Sequence, residues 1–166
     1  GMRRSYDRYA RPLLDVRRAQ TEAACRAEGI DFWVDPHNSD PRFLRARVRH
    51  DVLPVLEREL GPGVAETLAR TADSLRTDAE ALDDLTDDAL ARPDALAVTT
   101  LGGLPAALRR RVLRRAAVRA GAIDAELTHG HVLALDELVT AWRGQRWIDL
   151  PGHLRARRVD GAIGFE

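Results

Sequence analysis

Lysine is missing altogether from this 166-residue chain: all 26 basic side chains are arginine, balanced by 26 carboxylates to a formal net charge of zero. Arginine-only usage fits the codon bias of a GC-rich genome and carries little functional weight. The single cysteine, Cys25, lies within a helical pattern, so no internal disulfide can form and a reducing compartment is the natural reading. Its plain role is that of a small buried hydrophobe. No apolar run approaches the ~20 residues of a membrane helix, and no apolar signal region follows the basic start. The expectation is a cytoplasmic protein with no membrane role. No glycine-rich loop precedes a helix in either the Walker or the dinucleotide pattern, so nothing here cradles a nucleotide in a familiar way. Covalent catalysis finds no support either, because no Ser/His/Asp or Cys/His set occurs at a recognisable spacing.

What is present is the balance of a globular protein, 45% hydrophobic and 31% charged, long enough for one ordinary domain or for a small domain plus a piece of another. The charges are unevenly spread. Residues 1–50 hold 11 arginines against 7 acids, residues 51–100 hold 4 against 12, and residues 101–166 hold 11 against 7. Two basic ends flank an acidic middle, and a nucleic acid senses that local field rather than the sum.

Trp33 to Pro54 is the densest stretch. A turn rich in carboxylate and amide oxygens, Asp35, Asn38 and Asp40, runs into a segment carrying Arg42, Arg45, Arg47 and Arg49. Asp40 suits an N-cap and Pro41 a first helical residue. Helical spacing then puts Arg42, Arg45 and Arg49 on one face beside a Leu44, Val48, Val52 stripe. Upstream, Arg11-Pro12-Leu13-Leu14 reads as extended, since proline drives its neighbour from helical space. Asp15 is expected to cap a helix over 16–28 closed by Gly29, and Ile30 to Val34 reads as a brief strand delivering Asp35. Pro54 should kink or split the helix that runs from Pro41 to about Leu60.

Gly61-Pro62-Gly63 is the strongest breaker and marks the expected domain boundary. A long helix should follow to about Ala91, with Val64, Leu68, Thr71, Leu75, Leu82, Leu85 and Ala89 on its packed face. Asp73, Asp78, Glu80, Asp83, Asp84, Asp87 and Asp88 form a solvated one. The stretch 95–103 reads as a connector. Pro105 opens an arginine-rich helix in which Arg110 and Arg114 repel slightly at an i, i+4 spacing. Its guanidinium groups imply either acidic partners within the fold, the Asp-rich helix above all, or a phosphate backbone. Thr128 caps a last helix to Trp142, and two or three short strands with an Asp160-Gly161 hairpin close the chain. The fold class is mainly α, a long helix plus a helical hairpin with a small C-terminal β-hairpin. His129-Gly130-His131 reads as an ordinary helix start, Asp35, His37 and Asp40 as turn formers, and no metal is expected.

The run Arg11-Pro12-Leu13-Leu14, a helix, Trp33-Val34-Asp35-Pro36 with Asn38, then Arg45-x-Arg47-Val48-Arg49 leading to Leu53-Pro54 resembles the tRNA(Ile)-lysidine synthetase family of PP-loop ATPases. The LPAALRRRVLRR helix and the WIDLPGHLRARR segment are similar to the small C-terminal domain of its shorter members. Ala46 departs from the family, which usually has Asn after the first arginine of that cluster. The family's Ser-Gly-Gly-x-Asp-Ser nucleotide motif does not occur in these 166 residues.

The resemblance implies the latter half of such an enzyme: residues 1–60 as the α-rich tail of the α/β catalytic domain, residues 61–166 as a helical, tRNA-binding domain. The implied reaction uses ATP, with Mg, to adenylate the wobble cytidine of CAU-anticodon tRNA(Ile), after which L-lysine displaces AMP. This portion alone would be inactive. Arg11, Asp35 and Asn38 carry over as active-site rim residues, with Asp35 suited to the lysine ammonium and Arg11 to an adenylate phosphate. Arg45, Arg49, Arg110, Arg111 and Arg114 are the candidate tRNA contacts. A tail taken from a larger sheet would leave Leu13, Leu14, Phe32 and Trp33 uncovered. A rival reading is a helical module whose long helix mediates homodimerisation, with no nucleic-acid role. Clustering of Arg110, Arg114, Arg155, Arg157 and Arg158 on one exposed face would favour RNA; pairing with internal acids would favour the scaffold.

Overall fold

A computed structural model describes residues 4–166, and the chain divides into two compact units, Gly1–Ser74 and Leu75–Glu166. The division falls inside the long helix rather than at the glycine-proline-glycine break. Gly1 to Arg3 lie outside the described residues.

The first unit opens on a hairpin of two-residue strands, β1 (Ser5–Tyr6) and β2 (Tyr9–Ala10), turning through Asp7 at a φ of 51°. Residues 12–15 form turns, with the Leu14 and Val16 amides donating to Arg11 and Leu13, where an extended segment was expected. Pro12 excludes helix before itself without requiring a strand after it. Helix α1 (Arg18–Ala27) begins later than expected. Asp15 does not cap it, because its carboxylate is taken by Arg4; the Arg17 amide donates instead to Gln20 Oε1 at 2.9 Å. At the other end Gly29, at a φ of 66°, lets the Ile30 amide reach back to Cys25 O at 2.8 Å, a left-handed helix stop that glycine adopts without strain.

Residues 30–35 are irregular and not a strand: no neighbouring strand pairs with them among the described residues, and without a partner β-propensity has nothing to satisfy. Leu13, Leu14, Phe32 and Trp33 are exposed, Trp33 at 77%, as the sequence suggested. Ala46 is the only buried apolar residue among the described residues of this unit. Asp40 caps a turn rather than a helix, accepting from the Arg42 amide at 2.9 Å, and α2 (Leu44–Arg47) starts three residues after Pro41. A π-helical turn, Val48–Val52, then leads into α3 (Leu53–Leu60). Pro54 is the cause. It has no N–H for the residue-50 carbonyl and its ring crowds that carbonyl, so the helix widens by one residue and the Leu53 amide reaches Val48 O.

Gly61 and Gly63 take φ values of 92° and 100° before α4 (Val64–Leu90). The Glu57 carboxylate accepts from the amides of Ala65 at 2.9 Å and Gly63 at 2.7 Å, which holds its pKa below the usual carboxylate range. Those bonds satisfy donors that the start of α4 leaves open. Glu57→Gln is therefore expected to lower the urea midpoint of this unit, read by circular dichroism. The gain from the ionised carboxylate is present above the unfolded pKa and lost as pH falls through the lower folded one.

The second unit has a continuous core. Leu101, Val112, Leu113, Leu135 and Leu138 are fully enclosed. They come from α5 (Val98–Gly103), α6 (Ala106–Arg119) and α7 (His129–Thr140), which pack on a three-stranded antiparallel sheet, β3 (Ile148–Leu150), β4 (Leu154–Val159) and β5 (Ala162–Phe165). Helix α5 replaces the expected connector because Leu101 is needed in the core, and that burial outweighs the poor helix propensity of VTTLGG. Thr128 and His131 form a reciprocal cap at the start of α7, which gives His131 a structural role. Asp160 and Gly161, both at positive φ, make the expected hairpin turn, with Val159 opposite Ala162. The overall class is mainly α with a small C-terminal sheet, as read from the sequence.

Candidate functional site

In the first unit the acidic turn and the π-helical turn meet. Asp35 precedes a single 3-10 turn, Pro36–Asn38, and its Oδ1 accepts from the His37 amide at 2.9 Å while lying 2.9 Å from His37 Nδ1. The amide bond of His37 is the main reason its pKa falls below the usual carboxylate range; the His37 ring and the charge of Arg45 add to it against the desolvation. His50, on the π turn, places Nε2 3.1 Å from Asn38 O and so ties the two turns together. A cavity of about 130 Å³ lies between them, lined by Asn38, Arg45, Ala46 and Arg49. Three of the sequence-derived residues are thus brought together, with Asp35 on the adjoining turn. Arg11 is not among the lining residues. Ala46, which departs from the family pattern, is buried in the wall and can offer no side-chain hydrogen bond there.

The arginines of this stretch differ in state. Arg42 belongs to the turn, not to a helical face, and is committed to Asp40 through Nε at 2.9 Å and a terminal nitrogen at 2.7 Å. Arg45 sits over the Phe43 ring, 5.7 Å from its centroid, and Arg45 and Arg49 make no ion pair among the described residues. Asp40 is engaged by Arg42 and Asp35 by His37 through Oδ1, and among the described residues no group of three metal-ligating side chains occurs.

In the second unit the α6 arginines are all engaged. Arg109 and Arg110 both bind Asp136, at 2.5 and 2.9 Å. Arg111 and Arg115 share Asp83 at 2.9 and 2.8 Å, and Arg115 and Arg119 share Asp87 at 2.9 and 3.0 Å. Arg114 holds Asp124 at 2.6 Å and donates to Leu127 O. Asp83 and Asp87 are therefore ion-pair partners rather than members of a purely solvated face. The matching signal is in the sequence: Asp83 and Asp87 lie four apart, as do Arg111, Arg115 and Arg119, so two stripes can interlock. Arg110, Arg111 and Arg114 stay partly exposed, and a guanidinium with five donors retains free N–H groups after one such pair. His50 and Asp136 had no local signal, since their partners lie 12 and more than 25 residues away.

Comparison with known proteins agrees with the resemblance read from the residues. Residues 2–56 match a PP-loop domain model and residues 96–163 match the TilS substrate binding domain model. The chain is 54% identical over 160 residues to the tRNA(Ile)-lysidine synthase of Thermobifida fusca, covering 94% of this chain and 49% of that protein. It is 52% identical over 157 residues to that of Salinispora tropica, covering 92% and 47%. With the Streptomyces coelicolor enzyme it shares 47% over 160 residues, covering 94% and 46%. The chain thus spans about half the length of the curated relatives it matches. No helix among the described residues is long and apolar enough to cross a membrane.

Proposed function

We propose that this chain supplies tRNA recognition and part of the active-site rim of a tRNA(Ile)-lysidine synthase. In that reading the whole enzyme uses ATP and Mg to join L-lysine to the wobble cytidine of CAU-anticodon tRNA(Ile) in the cytoplasm. Residues 1–60 serve as the tail of the catalytic domain and residues 61–166 as the tRNA-binding domain. The cavity at Asn38, about 130 Å³, does not fit ATP by itself, being below the roughly 300 Å³ at which small-molecule sites begin. This chain alone is accordingly not expected to ligate lysine.

The observation that carries the reading is the pair of guanidinium groups without an ion-pair partner among the described residues, Arg45 and Arg49, flanking Asn38 beside an ionised Asp35. A cation-binding carboxylate next to two anion-binding groups suits a substrate pair of lysine ammonium and phosphate-bearing RNA. Asp35 presents Oδ2 to the ammonium, Asn38 shapes the rim, and Arg11 faces adenylate phosphate. Arg110, Arg111 and Arg114 meet the tRNA backbone with the N–H groups their internal pairs leave over.

A gel-shift titration with tRNA(Ile) against a control tRNA tests this, and preferential binding of tRNA(Ile) is expected. Arg45→Gln with Arg49→Gln should lower the salt slope of log K by roughly 0.7–0.9 for each phosphate that the variant no longer neutralises. No binding by the wild-type chain overturns the reading; unchanged affinity and slope in Arg110→Ala/Arg114→Ala removes the α6 arginines from it. A homodimerisation module is the second reading, favoured by the exposed Leu68 and Leu75 on α4 and by the internal pairing of the α6 arginines. Sedimentation as a dimer without RNA binding would select it.

A further inference from the structure

The C-terminal sheet is covered on one face only. Ile148, Leu150, Leu154, Ala156 and Ile163 turn toward the core. Strand alternation puts Asp149, Arg155, Arg157, Gly164 and Glu166 on the opposite face, with Trp147 leading into it just before β3. Asp149 lies opposite Arg155 and binds it at 3.0 Å; Arg157 binds Glu166 at 3.0 Å. Two guanidinium groups lie over the indole of Trp147, that of Arg146 at 4.3 Å and that of Arg155 at 4.7 Å from the ring centroid.

Three features separate this face from an ordinary solvated one. The two acids are each committed to an arginine of the face, and among the described residues no carboxylate lies within ion-pairing reach of Arg146, so one positive charge is left over. The surface is open: a Cβ at Gly164, across from Arg157, would meet nothing within 4 Å. A cavity of about 680 Å³ adjoins it, sharing Asp149, Arg155 and Glu166 and reaching Glu126 and His153.

We infer that this sheet face, centred on Trp147, is a contact for single-stranded RNA. Unpaired bases stack on the Arg146, Trp147 and Arg155 cluster, and backbone phosphates meet the edges of Arg146 and Arg157. A guanidinium lying over an indole retains N–H groups for a phosphate beside an aromatic surface, the combination on which unpaired bases are commonly received. Duplex RNA offers no free base planes to such a surface, so the face selects a loop or an end of a folded RNA. An acidic protein segment would satisfy the charge and leave the aromatic surface without a use. The inference rests on the tRNA-recognition reading above and assigns it a second surface, distinct from the α6 arginines.

The whole chain is titrated with a tRNA(Ile) transcript and with a fluorescein-labelled 12-nucleotide single-stranded RNA. Wild-type protein is expected to bind both, with quenching of tryptophan emission that is partly lost in Trp147→Phe. Trp147→Ala should weaken binding roughly tenfold, with Trp147→Phe keeping most of the affinity. Arg146→Gln, at an exposed position, should weaken it severalfold and lower the salt slope by roughly 0.7–0.9. Wild-type binding together with unchanged affinity and slope in Arg146→Gln and unchanged quenching in Trp147→Phe overturns this inference and leaves the tRNA reading standing. Failure of the wild-type chain to bind either RNA overturns both. Unchanged RNA affinity in Arg146→Gln with loss of self-association in sedimentation also overturns it and assigns the face to a protein partner.

Discussion

Asp136→Ala is expected to destabilise the Leu75–Glu166 unit by about 3–5 kcal/mol, the cost of breaking a buried ion pair by removing one partner. Asp136 is 5% exposed and Arg109 9%, and the Arg109 guanidinium would keep only the Leu104 carbonyl, 2.9 Å away. Arg110 loses its partner too, at less cost, because it reaches solvent. Urea unfolding followed by circular dichroism measures the difference. The companion variant Arg109→Met/Asp136→Leu should recover most of the loss, since an apolar pair of similar volume leaves no charge stranded. A single-variant loss below about 1 kcal/mol would show the pair to be solvated in solution. Acid pH supplies an independent check. Burial alone would raise the Asp136 pKa, but the hydrogen bonds of Arg109 and Arg110 outweigh it and the carboxyl titrates below its ordinary 3.8. Its contribution is therefore full above that value and vanishes as pH falls through the folded pKa. Wild type and Asp136→Ala should converge in stability as the solution is acidified.

Leu113→Ala is expected to cost about 2–5 kcal/mol, the range for truncating a large aliphatic side chain in a packed interior. Leu113 is 0% exposed, at the centre of the cluster shared by α5, α6, α7 and the sheet. The same change at Leu75, 62% exposed on α4, should fall within about 0.5 kcal/mol. Equal losses at the two positions would mean that Leu75 is covered in solution, the result that a dimer through α4 requires. The two units differ in packing as well: among the described residues the first buries one apolar side chain, Ala46, whereas the second has a continuous cluster.

Periodicity made the helices legible but not all their packing. The extents of α4 and α6, the Thr128 cap and the Asp160-Gly161 turn each follow from local chemistry, whereas Leu68, Leu75 and Leu85, expected on the packed face of α4, are exposed. Failures occurred where a distant partner decided the outcome. Helix α5 forms because Leu101 is needed in the core, while Ile30 to Val34 has the side chains of a strand and no strand beside it among the described residues. Asp15 and Asp40 both look like helix caps, and each is drawn away by an arginine, Arg4 or Arg42. At the candidate site the residue types were readable from Asp35 to Arg49, but not their state. Sequence left open whether the arginines face acids or phosphate; the α6 set is paired internally, whereas Arg45 and Arg49 have no ion pair among the described residues.

The π turn before Pro54 amounts to a phase shift in an otherwise regular spiral. One surplus backbone position is absorbed there, so side chains on either side of it point in directions that an unbroken α-helix would not give them. His50 owes its bearing toward Asn38, and Arg49 its place on the cavity wall, to that offset. A substitution at Pro54 that restored the missing amide would let the spiral close to its usual pitch and swing both side chains away, although neither had been altered. Which groups converge beside Asp35 is thus governed by where a proline falls, several residues outside the pocket it composes.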